Sequence, residues 1–249
     1  MDMSGYSAAT YDCNGKTYAR VSSILGILDK GYGLDKWKQD TIKSKLSDDY
    51  YKLLSKGHDI DIELLADAAL KHPNTVRDAR GTQGTQIHDA LEALLDKDKD
   101  QSGFMPQYSI LYDNAQQWIL EAKLEPIAIE ARLCSHEYEY GGTVDLIAYQ
   151  EYQDRKQVVI IDFKTGSSVY DTSTLQLAAY ANAWEEMHDD KSDMWPELCY
   201  IMHVDRDTYK FKETKHIHRY NIKTKEFEID KTFAAFKAVR DAYRWRHHK

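Results

Sequence analysis

The chain has 249 residues, with 33 Lys+Arg against 41 Asp+Glu, a formal charge of -8 and a mean hydropathy of -0.66. No stretch approaches the roughly 20 apolar residues that a spanning helix needs, and 12% aromatic residues are enough to build a core, so helical membrane and disordered classes are both excluded. The acidic total argues against a protein that coats nucleic acid by neutralising many phosphates at once.

The cysteines, Cys13, Cys134 and Cys199, are far apart and odd in number. They predict neither a disulfide framework nor a four-cysteine zinc or iron-sulfur site, and a reducing compartment is the default. The start, MDMSGYSAATYDCNG, has no basic segment followed by an apolar run, which gives a cytoplasmic reading.

In chain order, Val21 to Leu28 is an apolar run ending in the turn DKGYG. Leu34 and Trp37 then open a Lys-rich stretch of helical spacing to Leu54. A second amphipathic helix is predicted over Ile60–Lys71 and stopped by Pro73. A third, GTQGTQIHDALEALLD, is predicted to begin at a threonine cap, Thr85 among the candidates. The first third thus reads as mostly helical.

The middle is rich in β-branched and aromatic residues: Ile127–Cys134, Tyr138–Tyr149 and Gln157–Lys164 predict an antiparallel meander, with VVIIDF at the centre of the sheet. Thr172 or Ser173 is expected to cap a helix, and Glu197–Val204 to return as a strand. A hairpin-like stretch follows through His218–Ile222. A last helix over Lys225–Arg246 carries Phe227, Phe233, Phe236, Val239 and Tyr243 as its inner stripe. Helices, then a sheet interrupted by a crossover helix, then a helix make an α/β or α+β pattern.

Two segments place charge inside apolar strands: Asp145 in GGTVDLIAY, and Asp162 with Lys164 in VVIIDFKTG. Unpartnered carboxylates are costly there, so something must compensate them. Residues two apart share a strand face, so Asp162 and Lys164 point one way and Phe163 points to the core. If the two strands are neighbours, both carboxylates and the ammonium meet. Such a cluster can hold Mg or Mn through carboxylates, a main-chain carbonyl and water. An Asp-x-Lys pair alone is more often a surface ion pair. The glycines Gly141 and Gly142 ahead of Asp145 strengthen the site reading by permitting close approach of a substrate backbone.

GTQIHDALE with His88, a strand with Glu130, GGTVD with Asp145, DFKTG with Asp162 and Lys164, and QLAAY with Gln176 and Tyr180 follow one another in this order. The set resembles the PD-(D/E)XK nuclease superfamily, and within it the RecB-like branch that includes phage exonucleases and the mitochondrial genome maintenance exonuclease. The segment YARVSSILGILDKGYGLDKW is similar to the leader of phage-type members. The resemblance implies a restriction-endonuclease-like central mixed sheet flanked by helices. It also implies an N-terminal helical lobe over residues 1–80 and a nuclease core over 81–249, together one integrated domain.

The resemblance further implies a Mg- or Mn-dependent deoxyribonuclease using one or two ions. The metal ligands would be His88, Asp145, Asp162 and the Phe163 carbonyl, with Glu130 supporting the lysine or a metal-bound water and Lys164 supporting the attacking water. Gln176 and Tyr180, four apart on one helix face, would position the DNA strand, with Thr165 in the turn after the catalytic strand. Val144 stands where the family motif has proline. Three scattered cysteines cannot hold the iron-sulfur cluster of some relatives, and no P-loop is present.

Charge is uneven. From Tyr200 onward there are 13 Lys+Arg against 7 Asp+Glu, leaving 20 against 34 in the rest. Arg240, Arg244 and Arg246 flank Tyr243 and Trp245, a mixture suited to phosphate contact and base stacking, although cations at a helix C-terminus also complement its dipole. Lys36, Lys38, Lys43 and Lys45 near Trp37 make the first lobe a second DNA-facing candidate, as an arch. The expected activity is exonucleolytic digestion of DNA ends in phage-type recombination, replication or repair, with a recombination or single-strand-binding protein as partner. A structure-selective endonuclease and a non-catalytic DNA-binding module of the same fold are the alternatives.

Overall fold

This computed structural model describes residues 10–28, 31–96 and 105–247, the side chains of residues 31 and 32 excepted. The first nine residues of the segment read as lacking a targeting signal lie outside the described residues, as do residues 29–30 of the expected DKGYG turn and the last two of the basic tail.

Thr10–Cys13 (β1) and Lys16–Arg20 (β2) form an antiparallel hairpin around Asn14 and Gly15, both at positive φ. The Asn-Gly dipeptide is a strong hairpin signal, because both central residues of such a turn need the left-handed region. The first third is mostly helical, as expected, but it also contains this hairpin, which the expected elements do not include. Val21–Leu25 (α1) follows, then Gly31–Ser55 (α2).

Ile62–Leu95 (α3) is one helix of 34 residues that contains Pro73. The expected stop at Pro73 does not occur: Leu65, Ala69 and Pro73 are buried at spacings of four, and that burial outweighs the missing backbone bond. Nor do threonines begin a new helix. Thr82 and Thr85 donate their hydroxyls to the carbonyls of Asp78 and Gly81 one turn back.

Ser109–Glu121 (α4) was not anticipated, although Leu111, Ala115 and Trp118 repeat with helical spacing and are buried. Leu124–Ser135 (β3), Tyr140–Tyr152 (β4) and Arg155–Lys164 (β5) form the expected antiparallel meander. Thr172–Met187 (α5) crosses over to Pro196–Val204 (β6), which is parallel to β5, and Phe211–His218 (β7) closes the sheet antiparallel to β6. The expected Thr or Ser cap of α5 is replaced by Asp171, whose carbonyl accepts from the Thr174 hydroxyl. The final helix is Glu228–His247 (α6). Phe227 precedes it and is exposed, so it drops out of the predicted stripe, whereas Phe233, Phe236 and Tyr243 are buried and Val239 packs against them.

The sheet order is β1-β2-β4-β5-β6-β7, with β3 on β4. Alternation along β5 explains its central place: Val158 and Ile160 face α1, α5 and α6, while Val159, Ile161 and Phe163 face α4 and the last turns of α3. By compactness the chain divides into Asp29–Gln86 and a unit that runs through Leu28 and resumes at Ile87. The sheet and every predicted site residue belong to the latter.

Cys13 and Cys134 form a disulfide between β1 and β3, which corrects the expectation of unpaired cysteines. Their 121-residue separation hid the pairing, because only the hairpin carries Cys13 onto β3. Cys199 is free and buried. Among the described residues, no helix is long and apolar enough to cross a membrane.

Candidate active site

The site begins where β4 loses β5. The ladder between them runs from Tyr152 and Arg155 to Leu146 and Ile161 and ends there, one residue short of Asp145 and Asp162. β3 lines the other edge of β4 throughout, so β2, which pairs with Tyr140 and Gly141, takes up the edge that β5 has left. Residues 142–145 therefore border an opening between two partners of the same strand. Asp145 replaces the missing ladder bond: its Oδ2 accepts from the Phe163 N–H at 2.5 Å. The N–H and C=O of one strand residue point to the same edge, so the Phe163 carbonyl also faces this opening.

The pleat changes here too. Ile129 packs toward α4 and Ala131 toward α5, although residues two apart normally share a face; Leu146 and Val144 on the next strand divide in the same way. Between them lie Glu130 and Asp145, and Glu130 has φ 46°, an uncommon left-handed conformation for a non-glycine residue. The break re-aims both acidic side chains. His88, on the last turns of α3, Glu130 and Asp145 converge so that one ligand atom from each lies within 4.8 Å of the others. The His88 Nδ1 is 3.5 Å from the Asp145 Oδ1, and its ring meets Phe163 edge-on.

Asp162 is not in this trio. Its side chain is 3% exposed, on the α5 face of β5, and its Oδ2 lies 2.6 Å from the Lys164 Nζ. That oxygen has no hydrogen bond of proper geometry. Burial pushes the Asp162 carboxyl up to about 6, with Lys164 opposing and Asp145 adding to the rise. Burial disfavours the charged forms of Lys164 and His88 as well. Asp162 outweighs it for the lysine and Asp145 for the histidine, so both are raised overall. Lys164 is accordingly a firmly protonated ammonium.

Helix α5 is fastened to β4 by Tyr140, whose hydroxyl bonds the Ala179 carbonyl and the Asn182 amide oxygen, each at 2.8 Å. This sets Gln176 and Tyr180 against the opening: Gln176 Nε2 donates to the Tyr180 hydroxyl at 2.8 Å. Burial, then the charge of Asp162, raises the Tyr180 phenol, which stays protonated. The glycines have a different reason from the expected approach of substrate. A Cβ on Gly142 would stand 2.8 Å from the Tyr180 ring, and one on Gly141 would stand 2.5 Å from Tyr11 and 2.9 Å from the Cys13 sulfur. The protein's own side chains fill both spaces.

Thr165 is buried at the end of β5. His203, absent from the predicted set, holds the following turn through its Nε2 and the Gly166 carbonyl at 2.7 Å. Arg240 is engaged by the Tyr138 carbonyl and ring and by Asp241, and Tyr243 is buried, so neither is presented as a strand contact. Arg244 pairs with Glu139 at 2.7 Å, while Arg246 and Trp245 are exposed.

The described donors suit a hard divalent cation: carboxylate oxygens, one imidazole and an inward carbonyl, beside a buried carboxylate oxygen lacking a hydrogen bond. Two solved structures are similar over 92% of this chain and 92% of theirs: an alkaline exonuclease (LHK-Exo) from Laribacter hongkongensis, at 10% identity and TM-score 0.37, and LHK-Exo in complex with dAMP, at 13% and 0.32. A search of curated protein sequences finds no match. The family profile of the PD-(D/E)XK nuclease superfamily matches residues 108–246, more than half of the chain, and the protein belongs to that superfamily.

Proposed function

We propose that the protein is a Mg- or Mn-dependent deoxyribonuclease that digests DNA from its ends. The observation that carries this reading is the buried Asp162 held against the Lys164 ammonium, beside an opening where His88, Glu130 and Asp145 converge. Glu130, Asp145, Asp162, His88 and the Phe163 carbonyl are the groups that would hold the ion. When bound, it would acidify a water and neutralise charge on the scissile phosphate.

Lys164 acts as a cation, since its neighbour Asp162 keeps it protonated. It steadies the attacking water and the negative charge that develops on the phosphate oxygens. Asp162 orients that ammonium. Tyr180 accepts from Gln176 and so keeps its own proton to donate, which orients the DNA strand along α5. Thr165 shapes the turn beyond Lys164, and Arg244 and Arg246 offer backbone contacts at the end of α6. Lysines of α2 offer a further set of phosphate contacts. The preference for ends rests on the likeness of the leader and motif set to phage-type members.

The test is a time course on end-labelled linear and closed circular DNA with Mg or Mn, using the parent and Lys164→Ala. Stepwise loss from linear DNA, resistance of the circle and a fall of at least about 100-fold in Lys164→Ala are expected. Full activity in Lys164→Ala overturns the mechanism. Cutting of the circle would make the enzyme an endonuclease, and DNA binding without metal-dependent cleavage would make the chain a binding module.

A further inference from the structure

Beside the opening, the hairpin β1-β2 lays Tyr11 over Gly141; Tyr11 is 6% exposed, with its hydroxyl 2.9 Å from the Thr143 hydroxyl. Two guanidinium groups lie against this one ring, Arg20 at 5.4 Å and Arg132 at 5.3 Å from its centroid. Both arginines are exposed. Arg219, Arg240 and Arg244 each sit against a carboxylate. Among the described residues, Arg20 and Arg132 have no such partner; the one hydrogen bond of the pair runs from Arg132 to the Asp12 carbonyl at 2.8 Å.

Two like charges gathered at one aromatic ring repel each other, and cation-π attraction offsets this only in part. A shared anion would complete the arrangement. Its position indicates which anion. Arg132 is directly opposite Thr143, and each stands two residues from the acidic pair, Arg132 from Glu130 and Thr143 from Asp145. Two strand residues span about 6.6 Å, so the backbone positions of Arg132 and Thr143 stand one step along the sheet from those of Glu130 and Asp145. The disulfide from Cys13 to Cys134 and the Tyr11–Thr143 contact fix the hairpin there.

We propose that Arg20 and Arg132, supported by the Tyr11 ring, form a subsite for a backbone phosphate of the DNA strand adjacent to the scissile one. This rests on the nuclease reading above. The subsite counters repulsion between the strand and the carboxylates next to it, and it fixes the strand's register at the opening without reading its bases.

The test measures binding of a fluorescent single-stranded oligonucleotide in a Lys164→Ala background with Mg, over a series of salt concentrations. Arg20→Gln and Arg132→Gln should each weaken binding across sequences and lower the log-log salt slope by about 0.7, with the double variant losing about twice that. Arg20→Lys and Arg132→Lys should keep the slope, since the charge remains. An unchanged slope in the double variant, with an unchanged melting temperature, overturns the subsite. If Arg132→Gln melts early through loss of its bond to Asp12, Arg20→Gln decides alone, because its guanidinium has no described hydrogen bond to lose. The two readings fail separately: slopes that fall in a protein whose Lys164 form cleaves nothing keep the subsite and reject the nuclease. Cleavage that proceeds with unaltered slopes does the reverse.

Discussion

The two halves of β4 differ although they belong to one strand. From Leu146 onward it is laddered to β5 and sends Leu146, Ile147 and Ala148 into cores on both faces. From Tyr140 to Asp145 it trades β5 for β2, carries two glycines, and ends where both it and β3 lose their regular alternation. The paired half satisfies its backbone and excludes water, which makes it rigid. The open half leaves a main-chain N–H to a side chain and a carbonyl to whatever enters. The first half of the strand thus holds groups in costly states, and the second half holds them in place.

The largest expected effect on this contrast comes from Asp162→Asn. Cleavage should fall by about 1000-fold, because Lys164 loses its orienting charge at the open end. Stability of the metal-free protein should instead rise. Asp162 titrates near 6 in the folded chain and near 3.8 when unfolded, so the folded state binds the proton more tightly. Stability contributed by this group is therefore gained as pH falls from above 6 toward 4 and is flat below. Thermal melts with a chelator should show that slope in the parent and its loss in Asp162→Asn; an equal slope in both would remove Asp162 as its source.

Reduction of the Cys13–Cys134 bond should come next. Closing so long a loop contributes on the order of 2–4 kcal/mol, so urea unfolding with and without dithiothreitol should separate by that amount. The double Cys13→Ser, Cys134→Ser variant should match the reduced parent. If it does not, the hairpin is held by Tyr11 and its neighbours alone.

Gly142→Ala sharpens the comparison on the open half. The new methyl meets the Tyr180 ring at 2.8 Å, with a cost of about 1–3 kcal/mol and a displaced Tyr180, so cleavage should fall as well. An alanine accepted with unchanged melting and activity would show that Tyr180 is free to move. The smallest effect is expected for Glu130→Gly. Glycine relieves the left-handed backbone by about 1 kcal/mol, yet removes a carboxylate from the trio, so melting should rise slightly while the Mn concentration needed for half-maximal cleavage increases.

Much of this was written locally. The meander, the central place of VVIIDF and the helix with Gln176 and Tyr180 follow from periodicity, because alternation and helical spacing are properties of neighbouring residues. Asp162 beside Lys164 was legible for the same reason: two residues apart on one strand leave little choice of geometry. The order of the motifs likewise indicated the superfamily. Even where local signals existed, such as Asn14-Gly15 and the spacing of Leu111, Ala115 and Trp118, each needed a partner surface to become a hairpin or a helix.

Tertiary structure decided what depends on distant segments meeting. It carried α3 through Pro73, since burial of Leu65 and Ala69 is a property of packing and not of the dipeptide. It joined Cys13 to Cys134, buried Tyr243 and engaged Arg240, each through a contact more than 100 residues away or through a core with no local signature. It also put Glu130, rather than Asp162, with His88 and Asp145, because the change of pleat occurs only where β3 and β4 lie side by side. The sequence by itself determined which residues carry charge within the strands and which faces they share. Only the assembled sheet decided which of those charges meet, since a strand's edge and its opening are set by its neighbours.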